Sequence, residues 1–223
     1  MKLEFLDLHQ MAYKPAYDLQ THYMNRRIAA PKEEPDRLLL VEHEAVYTLG
    51  KYAGEDDVLF SEEERAEKGI SLRRTDRGGQ VTYHGPGQIT GYPIVRLSSR
   101  KKQGVAWYVD LLEEVLIRTL AHFGIKGARD KINPGVWIGR DKVAAIGVRV
   151  RRQTTMHGFA LNVRTDLSHY GGIVPCGISS RGVTSMHAHV PEIQVQDVKP
   201  VLLDAFCSLF GYEDVIQAKE VTL

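Results

Sequence analysis

The 223-residue chain contains only two cysteines, Cys176 and Cys207. Two thiols make no disulfide framework, which excludes the small stapled folds and suits a reducing, cytoplasmic setting. No apolar run approaches the ~20 residues of a bilayer-spanning helix. The N-terminus, MKLEFLDLHQ, has acidic residues early and no apolar stretch, so it does not read as a secretory signal. An excess of one charge is also missing: 29 Lys and Arg stand against 28 Asp and Glu, a net charge of +1. That argues against bulk attraction to nucleic acid or to an anionic membrane. Internal repeats, low-complexity stretches and linkers are absent. With 43% hydrophobic residues, residues 1–223 read as one domain able to bury a full core.

Locally the charge is uneven. Ser61–Lys68 is acidic, whereas Arg140, Lys142, Arg149, Arg151 and Arg152 crowd one stretch against Asp141, and Arg100, Lys101 and Lys102 form a second basic cluster. A solvated surface accounts for either cluster, and a docking patch for an acidic protein is the sharper reading. Periodicity predicts a helix over Tyr13–Ala30, with Ala16, Leu19 and Tyr23 on one face. A short one begins at Ser61, where Glu64 completes a capping box and Gly69 closes it. Gly104–Phe123 repeats Tyr108, Leu112, Val115, Thr119 and Phe123 at helical spacing. An Asp197 cap opens the last helix, to Phe210, with Val198, Leu202, Ala205 and Leu209 inward. Strands are predicted at Arg37–Val41, Val46–Leu49, Ile70–Thr75, Gln80–Tyr83, Ile89–Val95, Gly135–Ile138, Lys142–Val150 and Thr155–Val163. Most neighbouring strands are too close for crossover helices, so the fold class is α+β rather than doubly wound.

Cys176 lies between Pro175 and Gly177, a poor place for a helix interior or a central strand, where inert cysteines usually lie. Cys207, inside the last amphipathic helix, fits the inert role. Lys142 opens the run KVAAIG, in which alternation would put Lys142, Ala144 and Ile146 on one strand face. An edge lysine reaching water is one reading. Otherwise a buried neutral amine accepts a proton, or a charged one beside Cys176 lowers the thiol pKa; both yield thiolate. RGGQVTYHGPGQ surrounds a short strand with glycine turns that let backbone N–H groups approach a ligand, without the lysine of a phosphate-binding loop. His84 there could be a general base, a hydrogen-bond donor or a satisfied core imidazole, as could His157, His187 and His189. The last two form a His-x-His with no third ligand at a familiar spacing, so no metal site is read.

Taken in order, RGGQVTYHGPGQ, KVAAIGVRV, HGFALNV and IVPCGI resemble the octanoyltransferases of lipoate biosynthesis, relatives of the lipoate and biotin protein ligases. The resemblance covers residues 37–186. Tyr170-Gly171-Gly172 departs from it, since bulkier residues usually follow the aromatic. The resemblance implies a single acyltransferase domain with a mixed sheet flanked by helices, acting as a monomer without cofactor. It makes Cys176 and Lys142 catalytic. Arg77, Gly78, Gly79, Gln80, Val81, Thr82, Tyr83, His84, Ala145, Ile146, Gly147, Gly158, Phe159 and Ala160 become acyl-substrate contacts. The implied donor is octanoyl-acyl carrier protein. Lipoyl domains of 2-oxoacid dehydrogenases and the glycine-cleavage H protein are the implied acceptors. An ATP-dependent ligase of the same fold class, a cysteine hydrolase and a non-enzymatic carrier-binding module are the competing readings.

Overall fold

The computed structural model describes residues 1–99, 104–130, 133–174 and 181–218. Cys176 with its neighbours 175–180, and the cluster Arg100, Lys101 and Lys102, lie outside them. In chain order the elements are β1 (Lys2–Met11), α1 (Tyr13–Ala29), β2 (Asp36–His43), β3 (Val46–Leu49), α2 (Glu62–Glu67), β4 (Ser71–Arg74) and β5 (Val81–His84). There follow β6 (Gln88–Ile94), α3 (Val105–His122), β7 (Ala128–Arg129), β8 (Gly135–Ile138), β9 (Asp141–Arg151), β10 (Thr154–Asn162), α4 (Val195–Phe210) and β11 (Asp214–Gln217). Eight strands form one mixed sheet, in the order β11-β1-β2-β6-β10-β9-β8-β7. β1 runs parallel to both β11 and β2, and the other pairs are antiparallel.

The unbroken apolar run Leu38-Leu39-Leu40-Val41 follows from burial on both faces of this sheet. Leu38 and Leu40 pack with Leu112, Val115, Leu202 and Phe206 of α3 and α4. Leu39 and Val41 pack with Ala16, Leu19 and Tyr23 of α1. β1, which the sequence reading passed over, obeys the same rule: Leu3 and Phe5 face one layer, Leu6 and Leu8 the other. β4-β3-β5 make a separate three-stranded sheet, with Tyr47, Leu49, Ile70, Val81, Tyr83 and Ile173 as its core.

Helix ends test the local reading. The Ser61–Glu64 capping box is present: Ser61 Oγ accepts from the Glu64 N–H and Glu64 Oε2 from the Ser61 N–H, at 3.2 and 2.8 Å. Asp197 is not the cap of α4. Gln194 holds that place, and Asp197, one turn in, accepts the Gln194 N–H at 2.9 Å. The buried seam of α4 is Val198, Leu202, Phe206 and Phe210, whereas Ala205 and Leu209 are only partly buried. Aromatic packing decides this: Phe206 stacks on Phe210 at 4.2 Å and Phe210 meets Tyr108 of α3 edge-on.

The core also encloses imidazoles. His43 Nδ1 donates to the Met11 carbonyl at 2.8 Å, leaving Nε2 to accept the Tyr92 hydroxyl at 2.6 Å. Burial pushes its pKa from 6.5 down to about 4, against the pull of the Met11 carbonyl. The unfolded chain therefore takes up the proton first. This contribution to stability is complete above pH ~6.5 and is lost as pH falls through 4, to about 3 kcal/mol. Urea midpoints at pH 7 and pH 4.5 should show His43→Gln losing less stability on acidification than the parent. Equal losses would mean that His43 is not the group responsible.

Candidate active site

The loop between β4 and β5 leaves the small sheet and crosses the main one, where the Gly78 N–H donates to the Val148 carbonyl of β9 at 3.0 Å. Beneath it lies a cavity of about 370 Å³. Arg77, Gly78 and Gly79 of the loop border it, with Val81, Thr82 and His84 of β5. β9 contributes Lys142, Ala145, Ile146 and Gly147, and β10 contributes His157, Gly158, Phe159 and Ala160. The wall is mostly apolar and built of small residues. A Cβ on Gly147 would come within 2.9 Å of the Gly78 carbonyl oxygen, so a side chain there would lift the loop.

Two residues of the anticipated lining stand off this wall. Tyr83 turns into the small-sheet core, edge-on to Tyr47 and Tyr170, with its hydroxyl 2.8 Å from His169 Nδ1. Gln80 is tied to Gly50 through its carbonyl. The departure at Gly172 also has a steric cause. A Cβ there would sit 2.4 Å from the Tyr47 hydroxyl and 2.2 Å from the Phe60 ring, so a bulkier residue does not fit this corner.

Lys142 reaches the cavity, but not by simple alternation. Val136 faces Ala144 while Trp137 faces Lys142, so β9 carries one extra residue there and both Val143 and Ala144 are buried. Lys142 Nζ donates to the Pro134 carbonyl at 3.3 Å and lies 4.8 Å from the centre of the Trp137 ring. Its positive charge acts on Glu113, a carboxyl that burial pushes above its usual range. A carbonyl acceptor and an aromatic face thus position the side-chain nitrogen. The lysine backbone is pinned as well: its N–H donates to the Gly182 carbonyl and its carbonyl accepts the Thr184 N–H, each at 3.0 Å. Arg181 stands over the same Trp137 ring at 4.1 Å and bonds Asp130 at 2.6 Å. Trp137, Arg181 and Glu113 escaped the sequence reading because only tertiary contacts, cross-strand register for Trp137 and packing of α3 and the 181–184 segment for the others, bring them to Lys142.

The histidines are committed to protein partners. His84 is buried in the wall, with Nδ1 donating to Gln88 Oε1 at 2.9 Å and Nε2 3.4 Å from the Thr48 hydroxyl. Burial, reinforced by His43 and Arg77, lowers its pKa well below the ordinary value and keeps it neutral. His157 Nε2 donates to Asp76 at 2.8 Å, and burial outweighs Asp76 to lower its pKa. His187 meets the Pro191 carbonyl at 2.8 Å. Among the described residues no cluster of three His, Cys, Asp or Glu could hold a metal ion, and no helix is long and apolar enough to cross a membrane.

Comparison with known proteins agrees with this architecture. The lipoyl protein ligase A/B catalytic domain family matches residues 12–207. An octanoyltransferase from Alkaliphilus metalliredigens is 44% identical over 222 residues, covering 99% of this chain and 100% of that protein. One from Gloeobacter violaceus is 46% identical over 201 residues, covering 90% and 87%. Among solved structures, lipoate-protein ligase A bound with ATP has a TM-score of 0.80 at 14% identity, covering 100% of this chain and 90% of its own. The Aquifex aeolicus biotin protein ligase gives 0.51 at 9% identity, covering 95% and 69%. At such identities the two ligases establish the fold alone. The two curated relatives, close in sequence and matched along nearly their whole length, go further: the chain belongs to the lipoyl protein ligase A/B catalytic domain family and, within it, to the octanoyltransferases, which are acyltransferases.

Proposed function

We propose that the octanoyl group passes from octanoyl-acyl carrier protein to Cys176 and then to a protein lysine. The Cys176 thiolate attacks the thioester carbonyl, and the carrier's thiol leaves with a proton as the thioacyl-enzyme forms. The lysine amine of an apo lipoyl domain of a 2-oxoacid dehydrogenase, or of the glycine-cleavage H protein, attacks next. It forms the amide and releases the Cys176 thiol. The first step exchanges one thioester for another and is nearly balanced; amide formation draws the second forward. Lys142 supplies the positive charge that favours the thiolate, and after proton transfer its amine can accept the proton of the attacking lysine.

The observation that carries this reading is the placement of Lys142. It borders an apolar cavity fit for an acyl chain, and its backbone is hydrogen-bonded to Gly182 and Thr184, shortly after Cys176 in the chain. The apolar wall suits an octanoyl chain, with Arg77, Gly78, Gly79, Ala145, Ile146, Gly147, Gly158, Phe159 and Ala160 as its contacts. The arginines at the far end of β9 stand away from the reacting groups. Arg149 bonds Asp76, Arg151 bonds Asn25 at 2.6 Å, and Arg151 lies roughly 30 Å from Lys142 along the strand. The protein acts as a monomer without cofactor. Intact-mass spectrometry after mixing with octanoyl-carrier protein should show one octanoyl adduct, discharged on adding an apo lipoyl domain. Absence of the adduct, or transfer from free octanoate only when ATP is supplied, would overturn the reading in favour of a binding module or a ligase.

A further inference from the structure

We propose that Asp76 is a positioning residue for the acyl slot, one carboxylate that bolts the glycine loop to the sheet beneath it and so sets the bore of the cavity. The proposal deepens the reading above and rests on the cavity being the acyl slot. Asp76 immediately precedes Arg77, Gly78 and Gly79, the residues that roof the cavity. Donors from three separate elements converge on it. The Tyr17 hydroxyl of α1 donates to Oδ2 at 3.1 Å, Arg149 of β9 donates to the same oxygen, and His157 Nε2 of β10 donates to Oδ1 at 2.8 Å. The His157 hydrogen bond is the foremost reason that the carboxyl is held below its usual range, with Arg149 and Tyr17 adding to it.

The His157 end of this clamp is strained, and the sequence says why. Pro93 stands in β6 without an N–H, and the β6–β10 ladder covers only Phe159–Asn162. The Thr155 hydroxyl takes the Pro93 carbonyl at 2.7 Å, and His157 adopts φ +58°, left-handed for a residue with a side chain. Such a conformation costs on the order of 1–3 kcal/mol and persists only where its surroundings hold it. Here the Gln20 side chain accepts the His157 N–H at 3.0 Å while Asp76 fixes the ring, which is 2% exposed. His157 and the adjoining Gly158 both border the cavity. A single side chain thus connects the roof at Gly78 to the floor at Gly158. Arg149 is roughly 20 Å along β9 from Lys142, so the clamp acts on where the acyl tail lies and not on the reacting groups.

Asp76→Ala should therefore raise KM for octanoyl-carrier protein on the order of 10- to 100-fold, with kcat within about threefold. It should also flatten the preference among hexanoyl, octanoyl and decanoyl donors. Asp76→Asn, whose single oxygen can still accept from His157 but whose NH2 replaces the oxygen that faces Tyr17 and Arg149, should fall between. Circular dichroism confirms that each variant is folded, and Arg149→Ala, which leaves the His157 bond intact, should move the same parameters by less. Unchanged KM and chain-length preference would overturn the proposal. So would a kcat loss equal for every chain length, the mark of general destabilisation. Binding of hexanoic, octanoic and decanoic acids, measured by calorimetry, tests the slot apart from transfer. If the parent protein discriminates among the acids and Asp76→Ala does not, the clamp stands even where no adduct forms; equal discrimination by both removes it.

Discussion

Cys176→Ser abolishes the octanoyl adduct and lowers transfer by roughly 10³-fold or more, while Cys207→Ser leaves both within about twofold. The contrast rests on thiol acidity. The nucleophile in thioester exchange is the thiolate, and a serine hydroxyl at neutral pH offers almost none of the corresponding anion. Cys207 cannot substitute, because burial, with Asp204 adding, pushes its thiol up to about 11 and its side chain sits among the packed residues of α4. Intact mass reads the result directly: one octanoyl increment on the parent and on Cys207→Ser, none on Cys176→Ser. An increment that survived in Cys176→Ser would move the acyl group to another residue and end the proposed mechanism.

Lys142→Ala should cost about 10²- to 10⁴-fold in transfer and move the pH midpoint of iodoacetamide alkylation at Cys176 upward toward ~8.5, the value of a free thiol. The direction follows from charge. A cation beside a thiolate stabilises the ionised form, so removing it raises the pKa and leaves less nucleophile at neutral pH. Lys142→Arg divides the two tasks assigned to this residue. Its guanidinium retains the charge but stays protonated, so it should preserve much of the alkylation profile and adduct formation while slowing discharge to the acceptor lysine. Alkylation is best followed in the Cys207→Ser background, so that one thiol reports. An unshifted midpoint in Lys142→Ala would separate Lys142 from the thiol altogether.

The element pattern was legible because much of it is local. The seam Tyr108, Leu112, Val115 and Thr119 needs only the helical repeat, and all four are buried in α3. The Ser61–Glu64 box needs only three residues of separation. β1 was harder to read, since its alternation changes phase between Phe5 and Leu6 as its apolar residues pass from one face to the other. The α4 seam was displaced because Phe206 and Phe210, rather than Ala205 and Leu209, turn inward, and Phe210 there meets Tyr108 from another helix. The same division runs through the site. Gly78, Gly79, Gly147 and Gly158 are visible as glycines in the chain, but not as the roof and floor of one cavity.

By itself the sequence determined the class of fold, the glycine-rich segments and the pairing of one loop thiol with one lysine as candidate chemistry, since each is a matter of residue type and short spacing. Only the tertiary structure decided that Trp137 lies against Lys142, that Tyr83 turns away from the cavity, and that Asp76 gathers Tyr17, Arg149 and His157. Those outcomes depend on strand register, on one extra residue in β9 and on an interrupted ladder at Pro93. Register is set by packing between elements far apart in the chain, and a shift of a single residue would turn the strand side chains among these, Tyr83, Trp137, Lys142, Arg149 and His157, to the opposite face.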